Sequence, residues 1–156
     1  MFSNSAFLAF VFPMIFREAS LKDIPAMSEL RLSVKENVLS DPSRITDEMY
    51  REYLTEIGKG WLCEVKDEVV GFSVASAKDA SIWALFVRPE HEGKGIGTRL
   101  LELATQWLFA SGASSISLRT ATDTRADGFY ERLGWKRGEI NDNGERCYGL
   151  SRMEAP

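Results

Sequence analysis

The residues best placed to do chemistry begin at Gly93, Gly95 and Gly97, set at every second position in Val87-Arg88-Pro89-Glu90-His91-Glu92-Gly93-Lys94-Gly95-Ile96-Gly97-Thr98-Arg99-Leu100-Leu101. Without a Cβ, a glycine backbone can approach a ligand closely. An apolar run, residues 82–87, precedes the turn, and apolar residues at helical spacing follow it. A strand therefore feeds a tight turn that opens a helix. The first N–H groups of a helix lack intrahelical acceptors and lie at the positive end of its dipole. Glu92, Gly93, Lys94, Gly95, Ile96, Gly97 and Thr98 thus outline an anion site suited to a pyrophosphate. Lys94 and Arg99 add positive charge. The alternative is a glycine-rich helix start with no ligand, which would cost helix stability without return.

Spacing separates this turn from other phosphate loops. The GxxxxGK(S/T) pattern of a P-loop is absent. A dinucleotide fingerprint needs a third glycine where Thr98 stands, and it belongs after the first strand of a long βαβ array. Here the turn follows the fourth predicted strand, and too few residues remain for that array.

The elements that must position the turn are read from periodicity and breakers. Residues 14–18 form a short strand. Ser20 opens a helix, with Asp23 as a capping-box-like acid and Pro25 in the first turn. Met27, Leu30 and Val34 continue it, and residues 37–44 form a loop. Thr46 caps a second helix bearing Met49, Tyr53, Leu54 and Ile57, ended by Gly58 and Gly60. Residues 61–66 and 69–75 are strands joined at Asp67-Glu68, and 82–87 is a third apolar run ended before Pro89. Residues 95–110 are the clearest helix, with Ile96, Leu100, Leu103, Ala104, Trp107 and Leu108 in one stripe. A strand over 115–120 and a short helix over 123–133 follow. A hairpin, 135–140 with 146–152, closes the chain across Asn143-Gly144, a type I′ signal. The order β α α β β β α β α β β, unbroken by linker or repeat, predicts an α/β chain: an α+β mixed sheet with helices packed on it.

The 156 residues make one ordinary domain, 44% hydrophobic and 27% charged. A net charge of −4 argues against a basic nucleic-acid face. Two separated cysteines, Cys63 and Cys147, with a single histidine, give no metal-ligand set and no disulfide framework; buried free thiols are expected. Residues 6–16 are nearly all apolar, yet too short for a membrane span and without a basic leader region. The expectation is a cytoplasmic protein with an apolar extension over 1–13 and one domain over 14–156. Trp61 and Trp83 read as core.

On these residues a resemblance becomes specific. V-x-P-x-x-x-G-K-G-I-G-x-x-L-L resembles the acetyl-CoA motif of the GCN5-related N-acetyltransferases, usually written Arg/Gln-x-x-Gly-x-Gly/Ala. Gly95 and Gly97 match, and Glu92 stands where Arg or Gln is usual. Downstream, Asp123-Thr124-Arg125-Ala126-Asp127-Gly128-Phe129-Tyr130-Glu131-Arg132-Leu133-Gly134-Trp135 resembles the family's Asn-x-x-Ala-x-x-Phe-Tyr-x-x-x-Gly-Phe element. Ala126, Phe129, Tyr130 and Gly134 match, Trp135 replaces Phe, and Asp123 replaces an Asn that can touch the cofactor. Asp123 reads equally well as a helix N-cap.

The resemblance covers about residues 14–152. It implies the acyl-CoA N-acyltransferase fold, a central, mostly antiparallel sheet flanked by about four helices. It implies acetyl-CoA as cosubstrate, no metal, and direct attack of a neutral amine on the acetyl carbonyl. The strand over 82–87 would splay from that over 115–120, with the pantetheine arm paired to main chain around Leu85, Phe86 and Val87 and a backbone N–H polarising the thioester. Tyr130 would protonate the departing thiolate, as a neutral phenol can; packing beside Phe129 and Trp135 is its other reading. The sequence names no general base: Glu64, Asp79 and Glu36 are candidates, while His91 reads as an exposed loop residue. Glu36, Asn37, Asp41, Arg44 and Tyr50 could line the acceptor mouth. The acceptor is then an amine of a small molecule or a peptide, and a homodimer is compatible. A non-catalytic acyl-CoA-binding domain is the reading from another class.

Overall fold

The computed structural model of the chain describes residues 12–34, 45–122 and 124–153. Its strands are β1 (Met14–Glu18), β2 (Gly58–Val65), β3 (Glu68–Ser76), β4 (Ser81–Val87), β5 (Ser115–Ala121), β6 (Lys136–Ile140) and β7 (Glu145–Ser151). Its helices are α1 (Ile24–Ser33), α2 (Asp47–Glu52), α3 (Ile96–Ala110) and α4 (Arg125–Arg132). The strands form one sheet in the order β1-β2-β3-β4-β5-β7-β6. Neighbours are antiparallel except β4 and β5, which are parallel. This is the mixed, mostly antiparallel sheet expected.

β3 shows why the sheet is covered on both faces. From Val69 to Ser76 every residue is buried, as a strand with helices on both sides requires. On one face Met27 and Leu30 of α1 and Tyr50 of α2 pack on Leu62, Phe72 and Val74. On the other, Ile96, Leu100, Ala104 and Leu108 of α3 pack with Cys63, Val70 and Ile116. The buried stripe of α3 also takes in Leu101 and Thr105, while Leu103 and Trp107 stay partly exposed. The stripe is shifted because Leu133, Trp135 and Leu150 lie against that flank of the helix.

Local chemistry accounts for the boundaries. The Thr46 hydroxyl accepts from the Met49 N–H at 3.2 Å, as a cap should. The Ser20 N–H donates to the Asp23 carboxylate at 2.7 Å, but a 3-10 turn over Leu21–Asp23 precedes α1. A π-helical turn, Tyr53–Ile57, follows α2, and β2 begins directly at Gly58. Gly58 therefore starts a strand rather than only stopping a helix. A Cβ there would lie 1.7 Å from the Ala75 carbonyl oxygen.

Two hairpin turns differ from the sequence reading, the first by lying at Lys66-Asp67 rather than Asp67-Glu68 and the second by its type. Lys66 and Asp67 have φ of +53° and +62°, the signature of a type I′ turn between β2 and β3. Across Asn143-Gly144 only Gly144 has positive φ, +80°. The Asn141 side-chain oxygen accepts from the N–H groups of Asn143 and Glu145, both at 2.9 Å. That side-chain bonding favours a three-residue loop ending in a left-handed glycine over the type I′ turn predicted. Cys63 is buried as expected, whereas Cys147 is half-buried; both are free thiols. Trp61 lies in the core. Among the described residues no helix is long and apolar enough to cross a membrane.

Candidate active site

β4 and β5 touch at one end only. Their ladder holds the single pair Ser81–Ser117, with the Ser117 N–H donating to the Ala80 carbonyl at 3.1 Å. β4 stays paired to β3 as far as Val87, and β5 to β7 as far as Ala121. Between the diverging strands, the backbone groups of Leu85 and Val87, which point away from β3, have no strand partner among the described residues, whereas Phe86 is paired to Phe72 of β3. Unpaired backbone donors and acceptors of this kind call for a ligand or water.

A bulge marks the point of departure. Val74 pairs with Ala84 and Ala75 with Ile82, which leaves Trp83 as an extra residue in β4. Its ring stacks on Tyr53 at 4.1 Å between centroids and meets Tyr50 edge-on at 5.5 Å. The unbroken apolar run Ile82-Trp83-Ala84-Leu85 concealed this bulge, because no alternation was present to break. Trp83 is thus half-buried at a strand irregularity, not plain core.

The glycine turn sits at the end of β4. After a 3-10 turn over Pro89–His91, Gly93 and Gly95 take φ of +78° and +84°. Gly95 caps α3 with no side chain, and the first helical N–H to find a main-chain acceptor is that of Arg99, bonded to Gly95 at 3.1 Å. The N–H groups of Ile96, Gly97 and Thr98 ahead of it have no intrahelical acceptor. Lys94 is exposed beside them, whereas Ile96 points into the core, so its backbone alone can serve a ligand. Arg99 leans toward Glu102 at 3.6 Å, which reduces its weight in the site. The third glycine has a different reason: a Cβ on Gly97 would touch the Phe129 ring at 3.5 Å and Val87 at 3.6 Å, ordinary contact distances. Gly97 therefore joins the end of β4 and α4 to the start of α3. Glu92 forms an ion pair with Arg125, the first residue of α4. His91 is half-buried rather than exposed, with its Nδ1 enclosed and without a hydrogen-bond partner.

Tyr130 lies deep on α4, 6% exposed. Phe129, Trp135 and Tyr148 surround its ring at centroid distances of 5.1, 6.0 and 5.4 Å. Burial, with Tyr148 alongside, pushes its phenol well above the ordinary tyrosine range, so the group stays protonated. α4 is tied to the terminal hairpin through Asp127: the Tyr148 hydroxyl donates to its carboxylate at 2.9 Å, and Arg137 donates to it at 3.3 Å. The N-cap of α4 is Thr124, one residue beyond the position expected. Asp123 lies outside the described residues, as do Glu36, Asn37, Asp41 and Arg44.

The remaining base and mouth candidates are placed elsewhere. Glu64 accepts from Arg17 at 2.9 Å on β2. Asp79 accepts from Ser81 at 2.6 Å, at the end where β4 and β5 are still joined. Against the cost of its burial, hydrogen bonds from Ser81 and Ser76 hold that carboxyl below its usual range, which makes it a weak base. Tyr50 is fully buried and lines no mouth.

The profile of the Acetyltransferase (GNAT) family matches residues 24–135, from the start of α1 to the end of the Tyr130 segment. The chain belongs to this family. The uncharacterized N-acetyltransferase MJ1207 of Methanocaldococcus jannaschii is 30% identical over 51% of this chain and 40% of its own length. The peptidyl-lysine N-acetyltransferase YjaB of Salmonella typhimurium is 33% identical over 62% of this chain and 70% of its own. The PaiA N-acetyltransferase of Thermoplasma acidophilum, solved in complex with coenzyme A, shares the fold with a TM-score of 0.73 at 18% identity, covering 89% of this chain and 99% of that one. The GNAT assignment makes this chain an acyltransferase with the acyl-CoA N-acyltransferase fold.

Proposed function

We propose that this GNAT enzyme transfers an acetyl group from acetyl-CoA to a primary amine of a small molecule or protein, forming the amide C–N bond as the thioester C–S bond breaks. The observation that carries this reading is the single-pair junction of β4 and β5, which opens toward the uncapped start of α3. Acetyl-CoA supplies the activated thioester. The backbone N–H groups of Gly97 and Thr98, with Gly93 and Gly95 shaping the turn, are suited to its pyrophosphate. The unpaired edge at Leu85 and Val87, on either side of Phe86, is suited to the amide-rich pantetheine arm, and an N–H from that edge would polarise the thioester carbonyl. Tyr130 holds its proton until the sulfur needs one. Phe129 packs on Gly97 and couples that tyrosine to the phosphate turn.

The peptidyl-lysine activity in the name of the Salmonella relative supports including lysine peptides among the acceptors tested. The enzyme is read as a cytoplasmic protein, its residues 1–13 an extension to a domain over 14–156. The test is acetyl-CoA consumption against amines, amino acids, aminoglycosides and lysine peptides. Turnover with at least one amine is expected. Tight acetyl-CoA binding with no turnover across the panel would favour the acyl-CoA-binding domain instead.

A further inference from the structure

The ion pair between Glu92 and Arg125 joins the turn after β4 to the turn after β5. These are the ends of the two strands that diverge, so the pair spans the opening between them. Its members are unequally placed: the Glu92 side chain is 27% exposed and that of Arg125 73%. The carboxylate is tucked in and the guanidinium faces outward. Glu92 directly precedes Gly93, at the position where Arg or Gln is usual in the family motif. A bare carboxylate there would repel a phosphate held by the neighbouring N–H groups. A guanidinium carries five N–H donors in a planar fork, of which a carboxylate takes one or two. The same side chain, largely exposed, can therefore neutralise Glu92 and lie within reach of a second anion.

We propose that Arg125 is a pyrophosphate-binding residue, supplying from α4 the positive charge that position 92 lacks, with Glu92 as its anchor. The inference rests on the acetyl-CoA reading above. It makes α4 a two-ended element: Arg125 meets the phosphates at its start, and Tyr130 serves the sulfur one and a half turns later.

The test is acetyl-CoA affinity by isothermal titration with the full chain and four variants. Arg125→Glu is expected to weaken binding about tenfold more than Arg132→Glu, which makes the same charge change at the exposed far end of α4. The charge swap Glu92→Arg with Arg125→Glu restores a cation to the turn and recovers affinity to within about threefold of wild type. Arg125→Gln, the variant least disturbing to folding, raises the KM for acetyl-CoA about threefold with kcat unchanged. The penalty of Arg125→Glu persists with dephospho-CoA, which keeps the pyrophosphate. Equal losses in Arg125→Glu and Arg132→Glu would overturn the proposal, as would a penalty that vanishes with dephospho-CoA. A wild-type chain that binds no acetyl-CoA would bring down the parent reading as well.

Discussion

Tyr130 and the turn glycines carry the residue-scale consequences. If Tyr130 protonates the leaving thiolate, Tyr130→Phe keeps the ring packing and removes only the proton. Its kcat should fall by roughly 100-fold with acetyl-CoA affinity held within about twofold. An unchanged kcat would reduce the residue to packing. Because burial raises the phenol, the acid form persists on the alkaline side. The wild-type kcat should therefore show no tyrosine-linked decline up to about pH 10, the ordinary tyrosine value. The glycines separate by conformation. Gly95→Ala forces a left-handed φ of +84° on a Cβ-bearing residue and should cost about 1–2 kcal/mol in denaturant unfolding. Gly97→Ala meets only ordinary contacts and gains helix propensity, so stability should hold or rise by about 0.5 kcal/mol. Both glycines were legible as a motif. That the backbone angle requires only the first of them was not, because spacing alone does not report backbone angle.

At the scale of elements, one cluster fastens the edge of the sheet. Arg17 of β1 bonds the Asp23 carboxylate at 2.9 Å through each of two nitrogens, and Glu64 of β2 at 2.9 Å through a third. Arg17 is the main cause that pushes Asp23 down to about 2; burial opposes it, and the Ser20 N–H assists. The sign follows from linkage. A carboxyl with a lower pKa in the folded chain stabilises it above the unfolded value and loses that contribution as pH falls from about 4 to 2. Arg17 is 36% exposed, so solvent screening reduces the full value. Asp23→Asn should cost about 1–1.5 kcal/mol at pH 7, and the difference from wild type should close near pH 2. A constant difference across that range would mean that shape, not charge, sets the loss. The sequence identified Asp23 as a cap for α1. It could not show Arg17, six residues back on β1, turned toward the same carboxylate.

At the scale of the whole molecule, the described sheet begins at β1. β1 pairs with β2 from Met14 opposite Val65 to Glu18 opposite Trp61. Ahead of it, Phe12 meets the Lys66 ammonium at 4.9 Å. Removal of residues 1–13 therefore forfeits about 0.5–1 kcal/mol from that contact and leaves the fold and acetyl-CoA binding in place. Circular dichroism and titration of the shortened chain would check this, and an unfolded product would make the apolar extension part of the core.

The chain's own order of residues determined the element sequence, the uncapped glycine helix start and the Ala126–Gly134 segment, since each rests on local periodicity, propensity or a contiguous motif. Glu92, too, was visible as a departure from the family pattern. Tertiary structure decided what that departure meant. It brought Arg125, 33 residues away, onto the Glu92 carboxylate, bulged β4 at Trp83, and let β5 leave after one pair. It also took Tyr50 from the mouth into the core and bound Glu64 to Arg17. Charge pairing, strand divergence and burial depend on which distant segments share a sheet, and no local pattern encodes that neighbourhood.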